Sequence, residues 1–175
     1  MSFMIDDLRA DGFGGFLQLK SFLKVAVAGN GPDVEGVYAI VRESAARPAF
    51  KEDAHRKPRP KIYSAAEAEA RWVEGAQTLY LGKGPLRKLS KVRRQGLAQR
   101  LHELRAHGYD GAANHYGGKL LWQIDDMDSL IVAWKVLPAG AADASETALI
   151  HRFMNKDSLH RAPYANISKK RSVRI

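Results

Sequence analysis

The sequence predicts an α+β fold: a small, mainly antiparallel sheet of three to four strands flanked by helices. Three observations carry this. Val34 to Val41, Thr78 to Lys83 and Leu130 to Leu137 are short apolar runs with the length and composition of strands. Between and after them lie segments with helical spacing, such as Leu97, Leu101 and Leu104 on one face. The strands cluster without the regular crossovers that build a parallel sheet, so antiparallel packing under helices is the natural arrangement. At 175 residues the chain fits a single domain, 1–175, with a sizeable core.

The elements follow in chain order. Residues 1–33 read as an N-terminal extension, in which Gly15 to Val25 predicts a short helix with its apolar side on the core. Asn30-Gly31-Pro32 marks a turn, and Gly36 to Arg42 a strand. Residues 43–63 interleave Pro48, Pro58 and Pro60 with basic residues and predict a surface loop, because proline blocks helix and ladder alike. Ser64-Ala-Ala-Glu67 matches a capping box and predicts a helix to about Glu74, stopped at Gly75. After the strand Thr78 to Lys83, Gly84-Pro85 suits a helix start, with Gly96 breaking the region and Gly108 ending the second piece. Gly117-Gly118 predicts a turn, Leu120 to Ile124 a strand, and Asp125 to Asp128 an acidic turn. A strand over Leu130 to Leu137 and a helix opened by Asp143 and running to Asn155 complete the order.

Charge narrows the partner. Lysine plus arginine number 28 against 19 acids, leaving a net charge of +9, which favours a polyanion. The stretch Lys83 to Arg105 holds eight lysines and arginines plus His102 against one acid, Glu103, and Lys169 to Arg174 adds a basic tail. The absence of cysteine excludes disulfides, thiolate zinc sites and a cysteine nucleophile. No apolar run approaches the roughly 18 residues of a membrane span. The N-terminus has acids where a signal peptide has basic residues, so a cytoplasmic setting is expected.

Two tyrosine-glycine groups, Gly36-Val37-Tyr38 and Tyr80-Leu81-Gly82, sit on the first two strands. Further along come an arginine on the next helix, a helix-borne Glu146 and a turn Pro163-Tyr164-Ala165-Asn166. In this order, over residues 34–168, the chain resembles the GIY-YIG nuclease superfamily. The resemblance implies that Tyr38 and Tyr80 are the two active-site tyrosines, with Tyr38 the general base and Tyr80 orienting water or phosphate. It further implies that Arg100 holds the scissile phosphate, Glu146 is the metal-binding carboxylate, Asn166 closes the site and Lys83 assists beside them. Arg93 and Arg94 are alternatives for the phosphate arginine. The 41 residues between Tyr38 and Tyr80 exceed the usual connection. That insertion, 43–77, resembles the restriction-enzyme branch, in which added loops read the DNA.

The residues support such chemistry on physical grounds. Phosphodiester hydrolysis needs an activated water, neutralised charge at phosphorus and help for the leaving oxygen. One Mg²⁺ or Mn²⁺ on Glu146 suffices for the last two, since Mg²⁺ takes one or two carboxylates beside water and substrate oxygens. A free phenol, with a pKa near 10, is a poor base at neutral pH; nearby cations such as Lys83 and Arg100 favour its ionised form. Arg87, Lys88, Lys91, Arg93 and Arg94 form either a solvated face or a track for a DNA backbone, and His102 is a candidate phosphate contact.

Blander readings compete. Strand tyrosines commonly pack in cores. Asp143-Ala-Ser-Glu146 is itself a capping pattern, in which Glu146 merely bonds the helix start. Asn166 suits an ordinary turn, and Asp125, Asp126 and Asp128 form a hairpin turn rather than a metal cluster. His102, His107, His115, His151 and His160 share no metal spacing and read as surface or supporting residues. The expected function is a metal-dependent DNA endonuclease, for which a homodimer is a reasonable arrangement because one site per chain must cut two strands. The alternatives are a non-catalytic nucleic-acid-binding module of the same fold and an RNA-cleaving toxin.

Overall fold

The computed structural model describes residues 3–28, 34–52, 63–88, 94–111 and 115–167; the side chains at 28, 87, 88, 94, 95, 116 and 117 fall outside that description. Its strands are β1 (Gly14–Gln18), β2 (Glu35–Val41), β3 (Thr78–Gly84), β4 (Arg87–Lys88), β5 (Arg94–Gln95) and β6 (Ile131–Leu137). Its helices are α1 (Ile5–Ala10), α2 (Val25–Ala28), α3 (Ala65–Ala70), α4 (Leu97–Arg105) and α5 (Ala142–Lys156). Four strands form one open antiparallel sheet in the order β1-β6-β2-β3, and β4 pairs with β5 in a separate ribbon. This is the α+β class that the apolar runs predict.

Every residue of β2 is buried, which explains why its sequence after Glu35 is a continuous run without charge. Its two faces feed separate clusters. Tyr38 and Ile40 pack with Leu97, Leu101 and Leu104 of α4 and with Trp122 and Trp134. Val37, Ala39 and Val41 pack with Leu8 of α1 and Phe153 of α5. Helices therefore cover the sheet on both sides, and the core is two layers of side chains around a central strand. No helix among the described residues is long and apolar enough to cross a membrane.

Several boundaries differ from expectation, each for a local reason. Instead of a helix over Gly15 to Val25, Gly14–Gln18 is a strand, followed by a 3₁₀ turn at Leu19–Ser21. Gly15 has a φ of +88° and Phe16 one of +45°, and a Cβ at Gly15 would overlap the Trp134 ring. Leu17 and Leu23 are exposed, so the apolar residues do not form one helical stripe. No helix starts at Gly84-Pro85: β3 runs on to Gly84, the β4–β5 ribbon follows, and α4 begins after Gly96, its N-cap. Gly108 does not end this helix. The chain continues through a π-helical turn, Ala106–Asp110, to Gly111 at φ +64°, while Gly108 lies where a Cβ would meet Trp122.

Leu120 to Ile124 is not a strand but part of a 3₁₀ segment, Tyr116–Gln123, with only Ile124 bridging to Phe50. A short apolar run does not by itself distinguish a buried strand from a buried helix. The capping box at Ser64 and Glu67 forms as expected, at 3.1 Å and 2.9 Å, but α3 ends at Ala70, four residues before Glu74. The expected turn at Asn30–Pro32, residues 53–62 of the proline-rich loop and the basic tail lie outside the described residues.

Candidate functional site

The site is built on the β2–β3 ladder. Tyr38 pairs directly with Gly82, and the Tyr38 ring lies over that glycine: a Cβ at Gly82 would stand 2.5 Å from Tyr38 Cζ and 2.7 Å from its hydroxyl. The glycine two residues after Tyr80 thus makes room for the tyrosine of the neighbouring strand. Gly36 serves a different contact. A Cβ there would overlap the backbone carbonyl of Lys135 on β6 and crowd Leu97 of α4. The rings of Tyr38 and Tyr80 lie 5.9 Å apart and tilted, and both are buried.

A cleft of about 150 Å³ opens above them, lined by Tyr38, Tyr80, Lys83, Gly84, Pro85, Arg100 and Glu146. Glu146 comes from α5, and its carboxylate does not cap that helix. The helix starts at Ala142 with Ala141 as N-cap, so Glu146 lies beyond the first-turn positions that a capping box uses. The Lys83 Nζ instead bridges Glu146 Oε2 at 2.6 Å and Asp143 Oδ1 at 2.7 Å. Burial opposes the charge on Lys83, but hydrogen bonds to Asp143 and Glu146 outweigh it and raise its pKa.

Arg100 reaches the cleft from α4, paired with Glu103 one turn away at 3.3 Å. That separation and partial exposure make it a weak tie. Asn166 does not line the cleft. Its Nδ2 donates to the Leu81 carbonyl at 2.7 Å and its Oδ1 accepts from the Leu81 N–H at 2.8 Å. With Ala165 N–H donating to the Leu79 carbonyl at 2.8 Å, it fastens the chain's late turn to the outer edge of β3. The asparagine therefore holds the strand that carries Tyr80 and Lys83.

Buried Glu35 fixes the two cleft walls to each other. Its carboxylate accepts from Ala142 N–H at 2.9 Å, at the start of α5, and from Leu86 N–H at 3.3 Å, just after β3. Sequence reasoning did not single out this residue. A glutamate beginning an otherwise apolar strand was the available signal.

His115, read from the sequence as a surface or supporting residue, is not at the surface. It is 1% exposed, its Nε2 stands 3.1 Å from the Tyr38 hydroxyl, and its ring meets Tyr80 edge-on at 6.2 Å. Lying in irregular chain before a glycine pair, it has no sequence pattern linking it to β2.

The expected phenolate draws on Lys83, Arg100 and a bound metal ion together, and the protein alone supplies the first two. In the protein alone burial wins: it pushes Tyr38 well above the ordinary phenol value, with Tyr80 adding to the rise and Arg100 opposing it. Burial also raises Tyr80, against the Tyr38 hydrogen bond and the charges of Arg100 and Lys83. Without a metal ion, burial therefore keeps both hydroxyls protonated at neutral pH.

Of the proposed nucleic-acid contacts, His102 is half-buried on α4 and does not line the cleft. Arg87, Lys88 and Arg94 fall on the β4–β5 ribbon that follows the cleft wall at Gly84-Pro85. Lys91 and Arg93 lie outside the described residues. The acids of the 125–128 turn go separate ways, Asp126 to Arg42 at 2.7 Å and Asp128 to Lys20 at 2.6 Å. Among the described residues no group of three or more histidine, cysteine or acidic side chains is arranged to hold a metal ion. Comparison with protein-family models, with characterised proteins and with solved structures finds no match to this chain.

Proposed function

We propose that this chain is a divalent-metal-dependent DNA endonuclease that hydrolyses phosphodiester bonds at the cleft between β3, α4 and α5. One observation carries the proposal: Tyr38, Tyr80, Lys83, Arg100 and Glu146 come from four separate elements and line a single opening. Core packing accounts for the buried rings. It does not account for a guanidinium, an ammonium and a carboxylate brought to the same place.

The residues fit Mg²⁺ or Mn²⁺. Glu146 offers hard oxygen donors, and one or two carboxylates suffice when water and phosphate oxygens complete the shell. In the protein alone its partner is the Lys83 ammonium, so the position already accommodates positive charge. When bound, such an ion would neutralise phosphate charge and acidify a coordinated water. Arg100 can leave its long contact with Glu103 for a phosphate, which accepts two parallel N–H bonds from a guanidinium. Tyr80 can donate a hydrogen bond that orients water or phosphate, and Tyr38 would take the proton of the attacking water once the charge of a bound ion, added to those of Lys83 and Arg100, has favoured its phenolate. Asn166 and Glu35 keep β3 and α5 in register around them.

The net charge of +9 and the basic ribbon sequence supply sequence-independent attraction to a polyanion. A homodimer would place two such clefts on one duplex, and the lack of cysteine suits a reducing, cytoplasmic setting.

The test is cleavage of supercoiled plasmid with Mg²⁺ or Mn²⁺, beside single-stranded DNA and RNA at one salt concentration. The proposal expects duplex nicking that stops with a chelator. Retention of DNA without cleavage, insensitive to chelator, would establish a binding module instead. Cleavage confined to RNA would establish a ribonuclease.

A further inference from the structure

The Lys83 ammonium already occupies the carboxylate that an ion would need. Its Nζ stands 2.6 Å from Glu146 Oε2 and 2.7 Å from Asp143 Oδ1, and the two acids lie one turn apart on α5. A single exposed ion pair is weak, but two carboxylates closing on one ammonium form a network that holds it against Glu146.

The same cation is free to change partners. Lysine is a point charge on a flexible four-carbon stem, and its three donors fit many arrangements of oxygen. The Lys83 side chain is 29% exposed, so core packing does not lock it in place. It also lines the cleft that Arg100 and the two tyrosines share, which brings a phosphate seated there within its reach. Arg100 pairs instead with Glu103, away from the acids on α5. Of the two described cations that line the cleft, Lys83 is therefore the one whose position decides whether Glu146 is open.

Charge fixes the consequence. While the ammonium stays on Glu146 Oε2, a second cation on that carboxylate meets a like charge at close range, which weakens its binding. A phosphate in the cleft accepts from Lys83 and draws it off the carboxylates. Conversely, the ammonium that leaves a metal-occupied Glu146 is free for the phosphate. Each ligand favours the other, and linkage makes the two effects equal.

We propose that Lys83 is an exchangeable counter-ion that couples the two binding events. It covers Glu146 in the free protein and transfers to a DNA phosphate when Glu146 takes up its ion. This rests on the phosphodiester reading of the cleft and adds a regulation to it: the ion is acquired chiefly on DNA.

The coupling is read on the full chain as the tightening of duplex binding by an ion. A short fluorescent DNA duplex is titrated by anisotropy with chelator-treated protein, then with Ca²⁺ as an oxygen-seeking probe, at constant ionic strength. The ion also contacts phosphate directly, so the size of the gain with and without the lysine charge is what decides. Wild-type protein should bind the duplex about tenfold more tightly with Ca²⁺, and Lys83→Met should keep less than about a third of that gain, a difference within ordinary site-to-site coupling. Lys83→Gln, equally neutral but polar, should match Lys83→Met, which separates lost charge from altered packing. An equal gain in wild type and both variants would overturn the exchange and leave the nuclease reading standing. No duplex binding, or a duplex affinity that neither Ca²⁺ nor Mn²⁺ alters, would overturn that reading and the exchange with it.

Discussion

Tyr38 lies across Gly82, its pairing partner on the neighbouring strand, at a distance that no side chain could share. The two short motifs are therefore one feature. A glycine in the second clears the ground for the tyrosine of the first, and the hydroxyls of Tyr38 and Tyr80 gather on the same side of the sheet.

This relationship separates the two motif glycines by experiment. Gly82→Ala meets a side chain that can tilt, so it should cost about 1–3 kcal/mol, the usual range for overpacking. It should also displace the Tyr38 hydroxyl and depress cleavage. Gly36→Ala meets the Lys135 backbone carbonyl, which cannot turn aside, and should be the more destabilising. Urea denaturation of both variants checks the order, and the reverse ranking would contradict the geometry.

Glu35 gives a pH dependence of definite sign. Burial would raise its pKa, but the backbone N–H groups of Gly140, Ala142, Leu86 and Ala141 outweigh burial and lower it from 4.5. A group with a depressed folded pKa stabilises above its unfolded value and loses that contribution as pH falls through the folded one. Glu35→Gln should therefore cost about 2 kcal/mol at pH 7, as for hydrogen bonds to a charged group, and less in acid. Thermal melts from pH 7 down to pH 3 should show the two proteins converging. A constant gap would sink this reading.

Lys83 holds the place that a metal ion would share, since its ammonium bridges Asp143 and Glu146. Lys83→Met removes the competing charge. Metal titration by calorimetry, without DNA, should show tighter Mn²⁺ binding while cleavage falls. Unchanged metal affinity would mean that the ion and the lysine do not compete for Glu146.

Asn166→Ala leaves the Leu81 N–H and carbonyl without their side-chain partner, at a cost of about 1–3 kcal/mol. Metal affinity should survive in the folded variant, because Asn166 acts on the strand and does not line the cleft. Loss of metal binding with stability intact would instead make the amide part of the ion's surroundings.

Much of the architecture was legible because its signals are local. The apolar runs gave β2, β3 and β6, and the leucine stripe gave α4. Where tertiary contacts decide, the sequence was ambiguous. Gly14–Gln18 is a strand because Trp134 occupies the space a side chain at Gly15 would need, and Gly108 packs on Trp122 instead of stopping a helix. Residues 120–123 are apolar because they are buried, which leaves the element type open. The cleft-lining tyrosines, Lys83, Arg100 and Glu146 are residues that motif order singles out. No such order marks His115 or Glu35, since each acts through partners far away in the chain: Tyr38 for the histidine, Leu86 and Ala142 for the glutamate.

The central claim is that the Glu146 carboxylate holds the ion that makes phosphodiester hydrolysis possible. Plasmid nicking by purified Glu146→Ala, compared with wild-type protein at saturating Mg²⁺ and matched for folded fraction by circular dichroism, tests it most directly. The account predicts that the variant binds the plasmid and leaves it supercoiled. Nicking at the wild-type rate would show that the ion, or the chemistry, lies elsewhere.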